Sequence, residues 1–426
     1  MENQKLITIL NESEKENRKV FKVLSIEFLM ALQMNFRYKI YPSRKQIIKL
    51  NQTLSDCCFI YNKLLETKIN AYKKDKTKIT QFDLSNLTKN FDFPIHSQVK
   101  QNISNRIKEA FNHFFRRVKE KQNGKKQDVG YPRFKTLNRY KSITYPQSGF
   151  KILSEKKIYV SKIGNIPIIL NRTPKGKFKT FTIKRTVTGW FVIFSCSDVP
   201  IDKIEVNNNH VGIDVGIENF ATLSNGEIIA NPHFFRNSEK KLAKLQIRFD
   251  KKKKGSNNQK KAAIKVARLH EKIFNQRNDF LHKTSFSIIK KFKIISVEKL
   301  KIENMVRNHY LAKSINDASW YNFIQMLSYK VERTGGQLVK VSARNTSRTC
   351  SKCGNIQDIS LDNRIFKCLN CGFACHRDLN SALNIDMVGL DKSEPKACGD
   401  VTSTPSSEGA SDVTEAGTIY EPLQSL

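Results

Sequence analysis

Hydrophobic and polar positions change their period several times along the chain, and each change marks an element. Residues 35–41 (NFRYKIY) alternate and stop at Pro42, which predicts a strand. From 44 to 74 the period lengthens, with Ile47, Leu50, Leu54, Phe59, Leu64 and Leu65 recurring at helical spacing. A second helix is predicted from about Val99 to Lys121. It places Ile103, Ile107, Phe111, Phe114 and Phe115 on a core face and Lys108, Arg116, Arg117 and Lys119 opposite. Residues 122–141 read as a loop rich in Gly, Lys and Gln that closes on GYPRFK (130–135). Short apolar runs return over 142–205, with turns at Gly164, Pro174–Gly176 and Gly189, and 181–195 reads as a hairpin around Thr188–Gly189. This block predicts a small barrel or sheet, ended by Pro200.

From 209 the pattern is different. HVGIDVG (210–216) reads as a buried strand, followed by NFATLSNG (219–226) and EIIA (227–230), with Asn225–Gly226 as a hairpin turn. Long helices are predicted from about 238 to 291, broken by GSNN at 255–258, and then an apolar strand at 292–298. Trp320, Phe323, Ile324, Leu327 and Val331 form the stripe of a further helix, capped by Gly335–Gly336. A strand at 338–343, a cysteine-rich segment and a short helix from about Asp378 to Val388 complete the order. Three strands with tight connections, helices, strand, helix, strand, insertion and helix is the order expected of an RNase H-like fold.

Composition sharpens this picture. The chain has 426 residues and a formal net charge of +36, with 75 Lys and Arg against 39 Asp and Glu. A compact chain so charged repels itself unless a polyanion neutralises it, so nucleic acid is the expected partner. The basic helix face at 108–119 reads equally as a solvated face or a nucleic-acid contact. The charge reverses over 391–426, where Lys392 and Lys396 face Asp391, Glu394, Asp400, Glu408, Asp412, Glu415 and Glu421. That Ser-, Thr-, Gly- and Pro-rich stretch buries too little to offset ordering entropy and is predicted disordered. Residues 20–33 are apolar but interrupted by Lys22 and Glu27, too short for a membrane span. No membrane association is expected.

Two sets of residues carry chemistry. Asp214 lies in the first strand of the second block, Glu298 ends the later apolar strand, and Asp378 starts the last helix. Each alone reads as well as an exposed or capping carboxylate, and Asp378 suits an N-cap. Together in one fold order they would repel unless divalent ions bridged them, which suits a pair of Mg²⁺ or Mn²⁺ ions cleaving a phosphodiester. Cys350-x-x-Cys353 and Cys368-x-x-Cys371 are each followed by glycine, Gly354 and Gly372. Four thiolates so spaced make a closed tetrahedral shell, hence a structural Zn²⁺. Cys375 is expected to pack, as are Cys57 and Cys58 within the first helix, and Cys398 in the tail has no evident role. No framework of disulfides is indicated, which fits a reducing compartment.

These residues together resemble the TnpB proteins, RNA-guided nucleases of insertion sequences and relatives of the small type V CRISPR effectors. The likeness rests on GIDVGIENFATLSNG (212–226), 255–285, VEKLKIENM (297–305), TCSKCG (349–354) and CHRDLNSALNI (375–385). NFRYKIYPSRKQ (35–46), FIYNKLLETKINAY (59–72) and GYPRFK extend it over roughly 34–400. The resemblance implies a multidomain α/β and α+β chain. After an N-terminal extension (1–33) come a wedge-like β-barrel (34–50 and 125–205) and an inserted helical recognition lobe (51–124). A RuvC-like, RNase H-like nuclease domain (206–345 and 375–390) follows, with a zinc-binding target-nucleic-acid-binding insertion (346–374) ahead of the tail. It implies Asp214, Glu298 and Asp378 as metal-binding catalytic acids, and it places motif-reading contacts near Gln101, Tyr145 and Gln147. A guide RNA from the element's own transcript, double-stranded target DNA and a single protein copy are the implied partners, in the cytoplasm of a bacterial or archaeal cell beside the nucleoid. One departure stands out: the family often has Asp-Arg-Asp before the last helix, and here the run is His376-Arg377-Asp378. A guided repressor that has lost cleavage should lack an acid, and all are present. A strand-transfer transposase needs an HxH pair, and there is none. A compact CRISPR effector shares the chemistry and differs only in guide source, so it stays open.

Overall fold

The computed structural model describes residues 33–125, 127–200, 209–360 and 363–393. The predicted extension at 1–33 and the tail at 391–426 fall almost wholly outside these residues. The chain divides at residue 201 into two compact units.

The first unit opens with β1 (Met34–Ile40) and α1 (Arg44–Asp75). Ser43 starts the helix through a reciprocal capping box with Gln46, and Lys76 ends it in the left-handed conformation. A short α2 (Gln81–Leu87) and α3 (Ser97–Gln122) follow. The strands β2 (Ser142–Tyr145), β3 (Phe150–Ser154), β4 (Lys157–Val160), β5 (Gly164–Pro167), β6 (Lys177–Arg185) and β7 (Trp190–Ser197) make two antiparallel sheets, β1-β7-β6-β2 and β3-β4-β5. Arg185 pairs with Trp190, so the hairpin turns at the anticipated Thr188–Gly189. A single apolar cluster runs through helices and sheets, from Leu50, Tyr61 and Ile107 to Phe181 and Phe194.

Two expectations fail in this unit: Phe115 as a core residue, because period assigns a face but not what covers it, and Tyr145 as the nucleic-acid contact that the resemblance implied. Phe59 is 48% exposed and lies beside the buried stripe of α1, its ring meeting Phe91 and Phe93 edge-on. Phe115 is 60% exposed and packs against Phe111 and Phe114. Tyr145, expected as a nucleic-acid contact, is a core residue: it is buried against Phe181 and His96, and its hydroxyl donates to Ser161 O (3.2 Å). Cys57 and Cys58 are buried, as expected.

The second unit is built on a mixed sheet of β8 (His210–Val215), β9 (Asn219–Leu223), β10 (Ile228–Ala230), β11 (Ile294–Glu298) and β12 (Gln337–Val341), in the order β10-β9-β8-β11-β12. The first three strands are antiparallel neighbours, and β11 runs parallel to both β8 and β12. Between β10 and β11 lie α4 (Phe234–Asp250) and α5 (Asn257–Lys291). Between β11 and β12 lie α6 (Ile302–Met305), α7 (His309–Ala318) and α8 (Trp320–Arg333). Every residue of the predicted Trp320–Val331 stripe is buried, and Gly335 leaves α8 at φ 73°. The hairpin β13 (Ile365–Lys367) and β14 (Ala374–His376) precedes the final helix, α9 (Arg377–Ser393). That helix is longer than its sequence pattern indicated and takes in residues 391–393, the start of the stretch read as disordered tail.

The two faces of this sheet are distinct. Val211, Ile213, Ile295 and Val297 join one apolar cluster with residues of α5, α7 and α8. By strand alternation, Gly212, Asp214, Ser296 and Glu298 point to the opposite face. That face receives α9, where Ile385 packs with Val339 and Val341. A Cβ at Gly212 would lie 2.1 Å from Ala382 O and 2.5 Å from Asp386 N, so only glycine lets the helix this close.

Candidate active site and cysteine cluster

Parallel pairing aligns the first two acids. Ile213 lies in register with Val297, so Asp214 and Glu298, each one residue on, stand beside each other on the α9 face. The third acid arrives on α9, which runs against β8. Ala382 sits over Gly212, and Asp386 Oδ1 lies 3.0 Å from His210 Nδ1. Four residues back along the helix is about 6 Å, and two residues forward along the strand is about 6.6 Å. Asp378 is thereby brought level with Asp214.

The electrostatics agree with this placement. The Asp214 carboxyl is held well above the usual carboxylate range, by burial first and then by the Glu298 and Asp378 carboxylates; Arg377 and the Val215 backbone pull it back. Burial also raises Glu298, opposed by a hydrogen bond that Thr346 Oγ1 donates to its Oε1. Three clustered, half-buried carboxylates outnumber the nearby Arg377, whose Nε lies 3.8 Å from Asp378 Oδ1, and make a hard oxygen donor set that fits divalent cations such as Mg²⁺. Their oxygens do not close into a single compact shell. Among the described residues the one compact donor set is the four cysteines.

His376 takes a definite place here. Its Nδ1 accepts the Asp378 backbone N–H at 3.3 Å, so the histidine, not Asp378, caps the first turn of α9. The acid is left free of that task. Asp386 is buried further along the helix and accepts from Ser224 Oγ at 2.8 Å, and Ser224 in turn accepts the Gly212 N–H. This network pins α9 to β8, and sequence reading missed it, as it missed Thr346. Only the polar pair Asn380 and Asn384 at helical spacing within an apolar stripe hinted at something buried and satisfied.

The four Sγ atoms of Cys350, Cys353, Cys368 and Cys371 lie within 4.8 Å of one another. Cys350 and Cys371 are 3.7 Å apart, and Cys353 and Cys368 3.6 Å. A tetrahedron with Zn–S bonds of about 2.3 Å has edges of about 3.8 Å, so the donors fit zinc. The knuckle turns place Gly354 and Gly372 at φ 73° and 70°. The Asn355 backbone draws the Cys353 thiol down to about 6. The Phe373 backbone lowers Cys371 likewise, yet desolvation and the Cys353, Cys368 and Cys350 thiols push it up to about 12. A cation is what would let all four ionise together. Cys375 stays outside the set, paired in the hairpin with Phe366. In the first unit, Gln101 and Gln147 are exposed, and the Gln147 backbone N–H donates to Gln98 Oε1 at 2.8 Å.

Comparison with known proteins identifies the family. Family models match residues 195–309 ("Probable transposase"), 320–385 ("Cas12f1-like, TNB domain") and 30–77 ("Helix-turn-helix domain"). Over 33–77 the structure holds one strand and one unbroken helix rather than two helices. A Streptomyces pristinaespiralis protein named an RNA-guided DNA endonuclease is 32% identical over 386 residues, 87% of this chain and 92% of the relative. The similarly named InsQ of Escherichia coli K12 is 28% identical over 395 residues, 87% of this chain and 94% of the relative. The fold resembles that of Cas12f1 in a complex with guide RNA and target DNA, at TM-score 0.51 and 19% identity, over 80% of this chain and 82% of that one. No helix among the described residues is long and apolar enough to cross a membrane. With a relative this similar across nearly its whole length, the chain belongs to the TnpB family of RNA-guided DNA endonucleases.

Proposed function

We propose that this chain binds a guide RNA transcribed from its own insertion sequence and cuts double-stranded DNA beside a short motif. In this reading the second unit is a RuvC-like nuclease. Asp214, Glu298 and Asp378 are its catalytic acids, and the cysteine-bearing insertion at 346–374 engages target nucleic acid. The first unit supplies a wedge (34–50 and 125–205) and a recognition lobe (51–124), with Gln101 and Gln147 left as exposed candidates for reading the motif. The observation that carries the proposal is the juxtaposition of Asp214, a half-buried strand carboxylate, with Glu298 and Asp378, which raise its proton affinity. That is costly unless cations offset it.

Asp214, Glu298 and Asp378 would hold Mg²⁺, and the ions would supply an activated water and charge stabilisation at the leaving oxygen. The chain's own part is to present Asp214 and Glu298 near the ends of two inner strands, on the face that α9 covers, and to fix Asp378 there through the His376 cap and the seating of α9 on Gly212. Base pairing would read the target, leaving the protein to read the adjacent motif and heteroduplex shape. Cys350, Cys353, Cys368 and Cys371 would hold a zinc that shapes the insertion, with no open position for chemistry.

The test is purification of the protein from cells carrying its native flanking DNA, with sequencing of bound RNA and cleavage of a matched duplex in Mg²⁺. A single RNA running from the element's end into flanking sequence is expected. A repeat–spacer RNA would identify a CRISPR effector instead. Asp214→Ala, Glu298→Ala and Asp378→Ala should each lower cutting by at least about 10²–10³-fold while RNA still co-purifies. Undiminished cutting by any of them would remove that residue from the site.

A further inference from the structure

Glu298 is held by a loop, and the loop is held by the helix that carries Asp378. Thr346, itself buried, donates its hydroxyl to Glu298 Oε1. It lies between β12 and the first cysteine knuckle, in a turn outside any helix or strand. Asn345 O accepts the Arg348 and Thr349 N–H groups and Thr349 bridges to Ile356, and two asparagines of α9 tie this turn to the helix. Asn384 Nδ2 donates to Thr346 O at 2.8 Å and to Thr349 O at 2.7 Å, which uses both of its amide protons. Asn380 Nδ2 donates to Thr349 O at 2.7 Å, and its Oδ1 accepts the Ser351 N–H at 3.0 Å. Asn380 is fully buried and Asn384 nearly so. Ser351 lies inside the first CxxC pair. The clamp therefore joins three things: the helix bearing Asp378, the loop that aims Thr346 at Glu298, and the knuckle of the cysteine site.

A half-buried carboxylate with one oxygen tied down presents the other in a fixed direction. A carboxylate without that tie must be ordered when the cation binds, and affinity falls accordingly. Satisfied buried amides are suited to such a task because each lost bond leaves an unpaired group in the interior.

We propose that Thr346 is a positioning residue for Glu298, and that Asn380 and Asn384 set its position while tying the cysteine knuckle to the acid site. This rests on the reading of Asp214, Glu298 and Asp378 as divalent ligands. The experiment is Mn²⁺ binding to the full chain with its zinc retained, read by electron paramagnetic resonance of the free ion, alongside a melting curve. Thr346→Val should weaken Mn²⁺ binding by about 10–100-fold, and Asn384→Ala should weaken it in the same direction. Thr346→Ser, which keeps the hydroxyl, should hold the wild-type affinity. Thr346→Ala serves as a second test of the lost hydroxyl should the valine variant fold poorly. A threonine variant that melts earlier but binds Mn²⁺ as wild type does would make the contact structural only and overturn the proposal. Glu298→Ala separates the two readings: it should lose Mn²⁺ affinity even if Thr346 proves neutral, and unchanged binding there would overturn the site itself.

Discussion

At Asp214 a carboxylate occupies a strand whose neighbouring positions, Val211 and Ile213, are core. Its folded proton affinity is raised, so the metal-free fold binds a proton that the unfolded chain releases near pH 3.9. A group raised in this way favours the fold while it stays protonated. Stability is then lost as pH climbs from the unfolded carboxylate range through the higher folded value. Glu298 acts in the same direction. Asp214→Asn should therefore raise the melting temperature at pH 8 without added Mg²⁺, flatten its decline as pH rises above the unfolded carboxylate range, and abolish cutting. A variant less stable than wild type at pH 8 would contradict this crowding of carboxylates. At this scale sequence and structure divide cleanly. Asp214 stood out because an acid in an apolar run demands a reason. Thr346 gave no signal, since a threonine in a loop is unremarkable until its hydroxyl is seen against Glu298. His376 looked like a lost acid, and its contact with the Asp378 N–H makes it a cap.

At the scale of the element, α9 decides the site. Its periodicity announced a short helix, but not that it would lie against β8 with backbone atoms 2.1 Å from a hypothetical Gly212 Cβ. Gly212→Ala must push α9 off the sheet, because the obstructing atoms are backbone and cannot rotate away. The expected loss is about 1–3 kcal/mol of unfolding free energy, measured by urea denaturation, with cutting reduced because Asp378 moves with the helix. Wild-type stability and cutting in this variant would show that the helix seats loosely. The strands were legible because the switch from period 3.6 to period 2 is local. The Asn384 clamp was not, because its partners Thr346 and Thr349 are far back in sequence.

At the scale of the whole molecule, charge sets the terms of binding. With a formal net charge of +36, affinity for RNA should fall steeply with salt, by a logarithmic slope of about −0.7 to −0.9 per phosphate contacted. A protein contacting 6–10 phosphates would lose about 10³–10⁵ in affinity between 50 and 200 mM salt. Filter binding of the guide RNA across that range checks this, and a flat profile would mean that the basic surface is not the binding surface. The family likewise became legible at this scale, since several short motifs in one order are far less easily met by chance than any one of them.

The sequence by itself marked the main strands and long helices by local period, grouped Cys350, Cys353, Cys368 and Cys371 by spacing, and singled out Asp214, Glu298 and Asp378 as candidates by their place in the element order and the family resemblance. Only the tertiary structure decided that β8 and β11 pair in parallel register, which puts Asp214 and Glu298 side by side. It also decided that α9 crosses at Gly212, that Phe115 lies at the surface and Tyr145 in the core, and that Thr346 holds Glu298. Register, close approach and burial depend on which distant segment arrives as neighbour. That choice is made by the packing of the whole unit and is written at no single position in the chain.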